Sequence, residues 1–183
     1  GDVVLAVAAS GVHSNGYSLV RHVVAKSGLS YADDAPFAPG QTLGAALMTP
    51  TRIYVKAAQA AMQVSDDDHG PAVHAMAHIT GGGLPGNAGR TIPDQYALAI
   101  DCRTWDLPPV FQWLRDVGGL APADLAQTFN CGVGLVLVVS ADRATAIQQA
   151  LQQAGETAFV IGQVVPRSDA EPVILHHRDQ AWA

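Results

Sequence analysis

Gly1-Asp2-Val3-Val4-Leu5-Ala6-Val7-Ala8-Ala9 runs straight into Ser10-Gly11-Val12-His13-Ser14-Asn15-Gly16, and then into Leu19, Val20, Val23 and Val24 before Gly28. The first nine residues form a valine-rich apolar run bounded by glycine and serine, the pattern of a buried strand. The four apolar residues recur at helical spacing, and Gly28 supplies the stop. Strand, polar glycine turn and helix therefore follow one another within 28 residues, and this unit anchors the reading of the rest.

Outward from it, Leu29 to Gly40 carries two prolines and two aspartates and reads as a surface loop. Thr42 to Met48 predicts a short helix. Thr51 to Val64 predicts a longer one with Ile53, Ala57, Ala60, Ala61 and Val64 on one side. Asp66 to Pro71 reads as a solvated turn. Val73 to Ile79 fits a strand or a helix and is read as a strand or extended segment entering the triplet Gly81-Gly82-Gly83, with a helix starting over Leu84 to Gly89. Tyr96 to Ile100 predicts a strand, and the Pro108-Pro109 start predicts a helix through Val117. Pro122 opens another helix to Thr128. Gly134 to Val139 is apolar throughout and predicts a strand buried on both faces. Ala141 to Gln153 predicts a helix capped by Ser140 or Asp142 and ended at Gly155. Ala158 to Val165 and Val173 to His176 close the chain as strands. The alternation predicts a mixed α/β fold, one sheet covered by helices, with residues 1–183 as a single domain.

Composition removes several function classes. The chain is 49% hydrophobic and 14% charged, below the roughly 25% charged of an average domain, which excludes a disordered chain or a coiled coil. Low charge also implies that part of the surface is normally covered. Ten Lys and Arg against sixteen Asp and Glu give a net charge of −6, so no nucleic-acid footprint exists. Apolar runs such as Val133 to Val139 fall far short of the roughly 20 residues that span a bilayer. Cys102 and Cys131 are too few and too far apart for a disulfide framework or zinc site and point to reduced thiols in a cytoplasmic protein. The chain opens on a strand pattern with neither Met nor a signal peptide, as a piece of a longer polypeptide would.

Two segments carry candidate chemistry. Ser10, Gly11, His13, Ser14, Asn15 and Gly16 combine backbone that a ligand can approach with hydroxyl, amide and imidazole groups at a helix start, which favours an anion. The same residues also suit an ordinary helix cap. Thr80, Gly81, Gly82 and Gly83 fit a backbone that curls around a ligand, or a hinge. No Lys-Ser or Lys-Thr follows, so it is not a Walker loop. His74 and His78 share a side but lack the glutamate and third ligand of a zinc site, and no metal-binding residue is assigned. Arg52 at the start of its segment is placed either to clamp a phosphate or in solvent. Asn130 and the glycines of Cys131-Gly132-Val133-Gly134 indicate close packing near a ligand, or a bulge. Cys131 reads as a small buried filler, and His176-His177 as surface.

Together, SGVHSNGYSLVR (Ser10 to Arg21), TPTRIYVK (Thr49 to Lys56), AHITGGGLPGN (Ala77 to Asn87) and TFNCGVG (Thr128 to Gly134) resemble phosphoribosylformylglycinamidine cyclo-ligase, the aminoimidazole ribonucleotide synthetase of purine biosynthesis. The similarity runs over essentially all of the chain; Val12 stands where many members have proline. The resemblance implies the C-terminal half of a two-domain, homodimeric enzyme, with an α/β/α layered, partly ferredoxin-like fold. It places most ligands of ATP and magnesium in an N-terminal domain absent from this chain. It implies a small ribonucleotide substrate bound by Ser10, Gly11, Ser14, Asn15, Gly16 and Thr80 to Gly83, more weakly by Arg52 and Asn130, with His13 as proton carrier or oxyanion donor. Selenophosphate synthetase, thiamine phosphate kinase and the preceding amidotransferase share the scaffold and stand as alternatives, as does a non-catalytic binding or scaffold domain.

Overall fold

The computed structural model describes residues 1–66, 70–168 and 171–183. In chain order these form β1 (Val3–Ala8), α1 (Tyr17–Ser27), α2 (Leu43–Leu47) and α3 (Val55–Met62), then a two-strand ribbon of β2 (Ser65–Asp66) and β3 (Gly70–Pro71). There follow β4 (Val73–His78), α4 (Gly83–Ala88), β5 (Tyr96–Asp101), α5 (Pro109–Gly118), α6 (Pro122–Thr128), β6 (Val133–Val139), α7 (Ala144–Gln153), β7 (Ala158–Pro166), β8 (Val173–His176) and α8 (Arg178–Ala181). Of the turn expected over Asp66 to Pro71, residues 67–69 lie outside the described residues.

Six strands make one mixed sheet in the order β4-β6-β1-β7-β5-β8, antiparallel except for the β5–β8 pair. The opening strand thus lies inside the sheet, with Leu5 opposite Leu137 on one side and Val160 on the other. That position explains the apolar character of Val4, Leu5, Ala6 and Val7, all fully buried. Burying each Val or Leu side chain contributes about 1.5–3 kcal/mol. Alternate side chains point to opposite faces. Leu5 and Val7 join Leu135, Leu137 and Val139 beneath α3 and α7. Val4 and Ala6 join Val136 and Val138 beneath the layer holding α1, α4, α5 and α6. Every residue of β6 is buried, as its unbroken apolar run predicts. The mixed α/β sheet with helices on both faces is therefore present. Among the described residues no helix is long and apolar enough to cross a membrane.

Three local expectations are corrected. The helix predicted from Thr51 begins only at Val55, and Ile53 is 80% exposed rather than packed. The preceding residues are held by the turn after β1, and those tertiary contacts override the local preference. Helix α7 is capped by neither Ser140 nor Asp142; Arg143 occupies the cap position with no side-chain cap bond. The short α8 has no counterpart in the sequence pattern; it carries fully buried Trp182 against Trp105, ring centroids 5.6 Å apart.

Candidate functional site

The turn after β1 is shaped by residues that point inward. Val12 and His13 are both 2% exposed. To reach that position His13 adopts φ 59°, a left-handed conformation unusual for a residue with a Cβ. Its Nε2 accepts from the Ser10 N–H at 3.1 Å and lies 3.1 Å from Ser10 Oγ. Ser10 Oγ donates to the Pro50 carbonyl at 2.8 Å, and Ser14 Oγ meets Thr51 Oγ1 at 3.1 Å. These contacts lay the Thr49–Thr51 strip along the turn and hold it out of helical geometry. Beneath the turn, Asn130 Nδ2 donates to Gly11 O at 2.9 Å while its Oδ1 accepts from the Gly132 N–H at 2.8 Å. Asn130, 2% exposed, is a strut under the turn.

The helix-cap alternative has a definite outcome. Gly16 takes the cap position of α1 with φ 74°, and no side chain accepts a bond there, so neither Ser14 nor Asn15 serves as cap. A Cβ at Gly16 would come within 2.3 Å of the Phe129 ring, so only glycine fits. The first-turn amides of α1 thus lack the side-chain acceptor that usually satisfies one of them.

The glycine triplet is ordered by Asn87. Its Nδ2 donates to the carbonyls of Thr80, Gly81 and Gly83 at 3.3, 3.2 and 2.7 Å, and Thr80 Oγ1 donates to its Oδ1 at 3.0 Å. Asn87 shares its two amide protons among these carbonyls and ties the curl together. The curl lies beside the first turn: a Cβ at Gly81 would stand 3.6 Å from Asn15 Oδ1. The rings of His13 and His78 are 6.5 Å apart, and the Tyr54 ring lies near both, at 6.2 and 5.7 Å. Tyr54 donates to Ala8 O at 2.9 Å and occupies space left by Gly134, where a Cβ would fall 1.8 Å from the phenol oxygen.

The structure thus brings Ser10, Gly11, His13, Ser14, Asn15, Gly16 and Thr80 to Gly83 into one neighbourhood. Arg52 is committed elsewhere: its Nε pairs with Glu156 at 2.7 Å, and a further nitrogen reaches Gly155 O at 3.5 Å. Tyr54 and Asn87 complete the site although sequence reasoning assigned them no role, and Gly134, read as close packing or a bulge, makes room for Tyr54. Asn87 had a signal in its place four residues after Gly83; the long-range partners of Tyr54 and Gly134 had none. A cavity of about 240 Å³ opens beside the turn, lined by Ser10, Gly11, Thr49, Phe37, Phe111 and Gly132 among others.

Electrostatics set the character of the groups. Burial lowers the His13 pKa to about 4, helped by His78 and Arg52, so the ring is neutral at physiological pH. Burial pushes the Tyr54 phenol well above its ordinary value and the Cys102 thiol up to about 12. It raises Cys131 as well, whose Sγ faces the Leu125 carbonyl at 3.5 Å, so neither thiol is a ready nucleophile.

Comparison with known proteins agrees with this architecture. Among solved structures the chain is similar to thiamine-monophosphate kinase from Stenotrophomonas maltophilia K279a, with 16% identity and a TM-score of 0.52 over 96% of this chain and 50% of that one. It is similar to tt0281 from Thermus thermophilus, with 16% identity and a TM-score of 0.51 over 96% and 49%. Hydrogenase maturation protein HypE is 21% identical with a TM-score of 0.49, over 96% and 49%. The chain spans about half the length of each. Residues 1–174 match the family described as AIR synthase related protein, C-terminal domain. The chain belongs to that family.

Proposed function

We propose that this chain is the C-terminal, substrate-binding half of an ATP-dependent cyclo-ligase that closes the imidazole ring of formylglycinamidine ribonucleotide, giving aminoimidazole ribonucleotide, ADP and phosphate. The observation that carries the reading is the meeting of two fixed backbone curls, Ser10 to Gly16 and Thr80 to Gly83, around the buried His13. A reaction that activates a formyl oxygen with a phosphoryl group and then closes a ring needs positioning and charge stabilisation more than a protein nucleophile. Ser14, Asn15 and the amides at the start of α1 and around Gly81 would hold the ribonucleotide, and His13 would face its reacting end. Family membership is shared with the kinase and selenophosphate alternatives, and the four matching segments are what favours the cyclo-ligase.

ATP supplies the phosphoryl group; its binding, and the homodimer contact, are assigned to an N-terminal domain of the same enzyme. Magnesium would accompany the ATP phosphates in that domain. Asn130 supports the turn from behind, and Arg52, paired with Glu156, lies near enough to His13 to act on its charge.

The test has two arms. Formylglycinamidine ribonucleotide titrated into the isotope-labelled chain should shift the amide resonances of Ser14 to Gly16 and Gly81 to Gly83 together. Shifts confined to other surfaces would overturn the site. In an enzyme carrying both halves, ribonucleotide-dependent ATP hydrolysis should collapse on His13→Ala with the fold intact; unchanged turnover would refute the assignment.

A further inference from the structure

Of the three rings that cluster where the two curls meet, those of His13, Tyr54 and His78, two are buried and one is not. The buried pair is engaged by backbone: His13 Nε2 receives the Ser10 N–H, and Tyr54 donates to Ala8 O. His78 is exposed, and alternation along β4 explains why. Ala77 and Ile79 turn into the core beneath α4, whereas His78 follows Met76 to the face that carries α3. Strand β4 is an edge of the sheet, so no further strand flanks the ring. Tyr54 meets it edge-on, with centroids 5.7 Å apart and planes at 65°, and supports it on one side. Among the described residues nothing hydrogen-bonds to its ring nitrogens. The residue stands two positions before Thr80, where the second curl begins, and its ring lies 6.5 Å from that of His13 in the first. Arg52 is paired with Glu156. Among the described residues of the two curls and their supports, His78 is therefore the titratable side chain left both open and uncommitted.

We propose that His78 is the catalytic base of the ring-closing step, an inference that rests on the proposed function. Once the formyl oxygen carries the phosphoryl group, the amidine nitrogen attacks the formyl carbon. A nitrogen–carbon bond forms, the carbon–oxygen bond breaks, and inorganic phosphate leaves with the bonding pair. The nitrogen is then left with a surplus proton, which passes to a free ring nitrogen of His78 and from there to water. An imidazole with an unengaged lone pair suits that transfer at neutral pH. The lone pair of His13 that receives the Ser10 N–H is already spent, so the open ring beside it takes the proton.

Two measurements on an enzyme carrying both halves test this. Diethyl pyrocarbonate carbethoxylates accessible imidazoles, and peptide mass spectrometry locates the adduct. His78 should react and His13 should not. Formylglycinamidine ribonucleotide at about ten times its Kd should slow the reaction at His78 about tenfold. In steady-state assays His78→Gln should lower kcat for phosphate release about a hundredfold, with KM for the ribonucleotide within about threefold of wild type. The first turnover of ADP formation should keep its wild-type rate, because phosphoryl transfer precedes the step that needs the base. A kcat within about threefold of wild type, a loss carried by KM alone, an ADP burst slowed as much as phosphate release, or a His78 that the ribonucleotide does not protect would each overturn the base and leave the proposed function standing. A wild-type enzyme that does not turn over the ribonucleotide would sink the proposed function and this assignment with it.

Discussion

Replacing Asn130 with alanine removes two bonds from the floor of the first turn. The Gly132 N–H, buried, loses its 2.8 Å acceptor, and the partly buried Gly11 carbonyl loses its 2.9 Å donor. An orphaned buried polar group costs about 1–3 kcal/mol, and the half-wet carbonyl falls near the lower end, so the pair should cost about 2–4 kcal/mol. Asn130→Asp separates the two halves of that sum. Its carboxylate still accepts from Gly132 but presents an oxygen to the Gly11 carbonyl, so it should be no better than alanine despite near-identical shape. Urea denaturation with linear extrapolation measures both, provided the slope is unchanged. A loss under about 0.5 kcal/mol in Asn130→Ala, the range of an ordinary surface substitution, would refute the strut. So would an Asp variant as stable as wild type.

Gly134→Ala drives a methyl into the Tyr54 phenol, whose oxygen is 1.8 Å from the Cβ position; an overpacking cost of about 1–3 kcal/mol and a displaced His13 resonance are expected. A melting temperature and an imidazole spectrum like wild type would show that the space is more forgiving. Acid should expose the His13 burial. With a folded pKa of about 4 against 6.5 unfolded, the unfolded chain binds more protons between those values, so stability falls as pH drops from about 6.5 to about 4. At about 1.4 kcal/mol per unit the loss is on the order of 3 kcal/mol, and His13→Asn should flatten that stretch of the stability–pH curve. Parallel curves for the two proteins would contradict it.

Much of the architecture is legible in the sequence because period and punctuation agree. The valine run of β1, the wholly apolar β6 and the proline starts of α5 and α6 each carry their own signal. Thr51 to Tyr54 departs from its helical pattern because its conformation is set across the chain, by Ser10 Oγ on Pro50 O and Ser14 on Thr51. Asn130 shows the same division within one side chain. Its bond to Gly132, two residues on, is a local Asx-type turn that such a residue announces. Its bond to Gly11, 119 residues away, is written nowhere near it. The two candidate loops can be named from composition, but Asn87 as the tie that fixes the second emerges only with the fold.

The place of β1 inside the sheet carries a consequence for biosynthesis. Val3 must find both Val139 and Gln163 before its strand has neighbours on either side. A ribosome releasing this chain amino end first therefore emits an apolar ribbon long before either mate exists. Chaperone capture of nascent intermediates should be heaviest in that interval and should end only when β7 clears the exit tunnel.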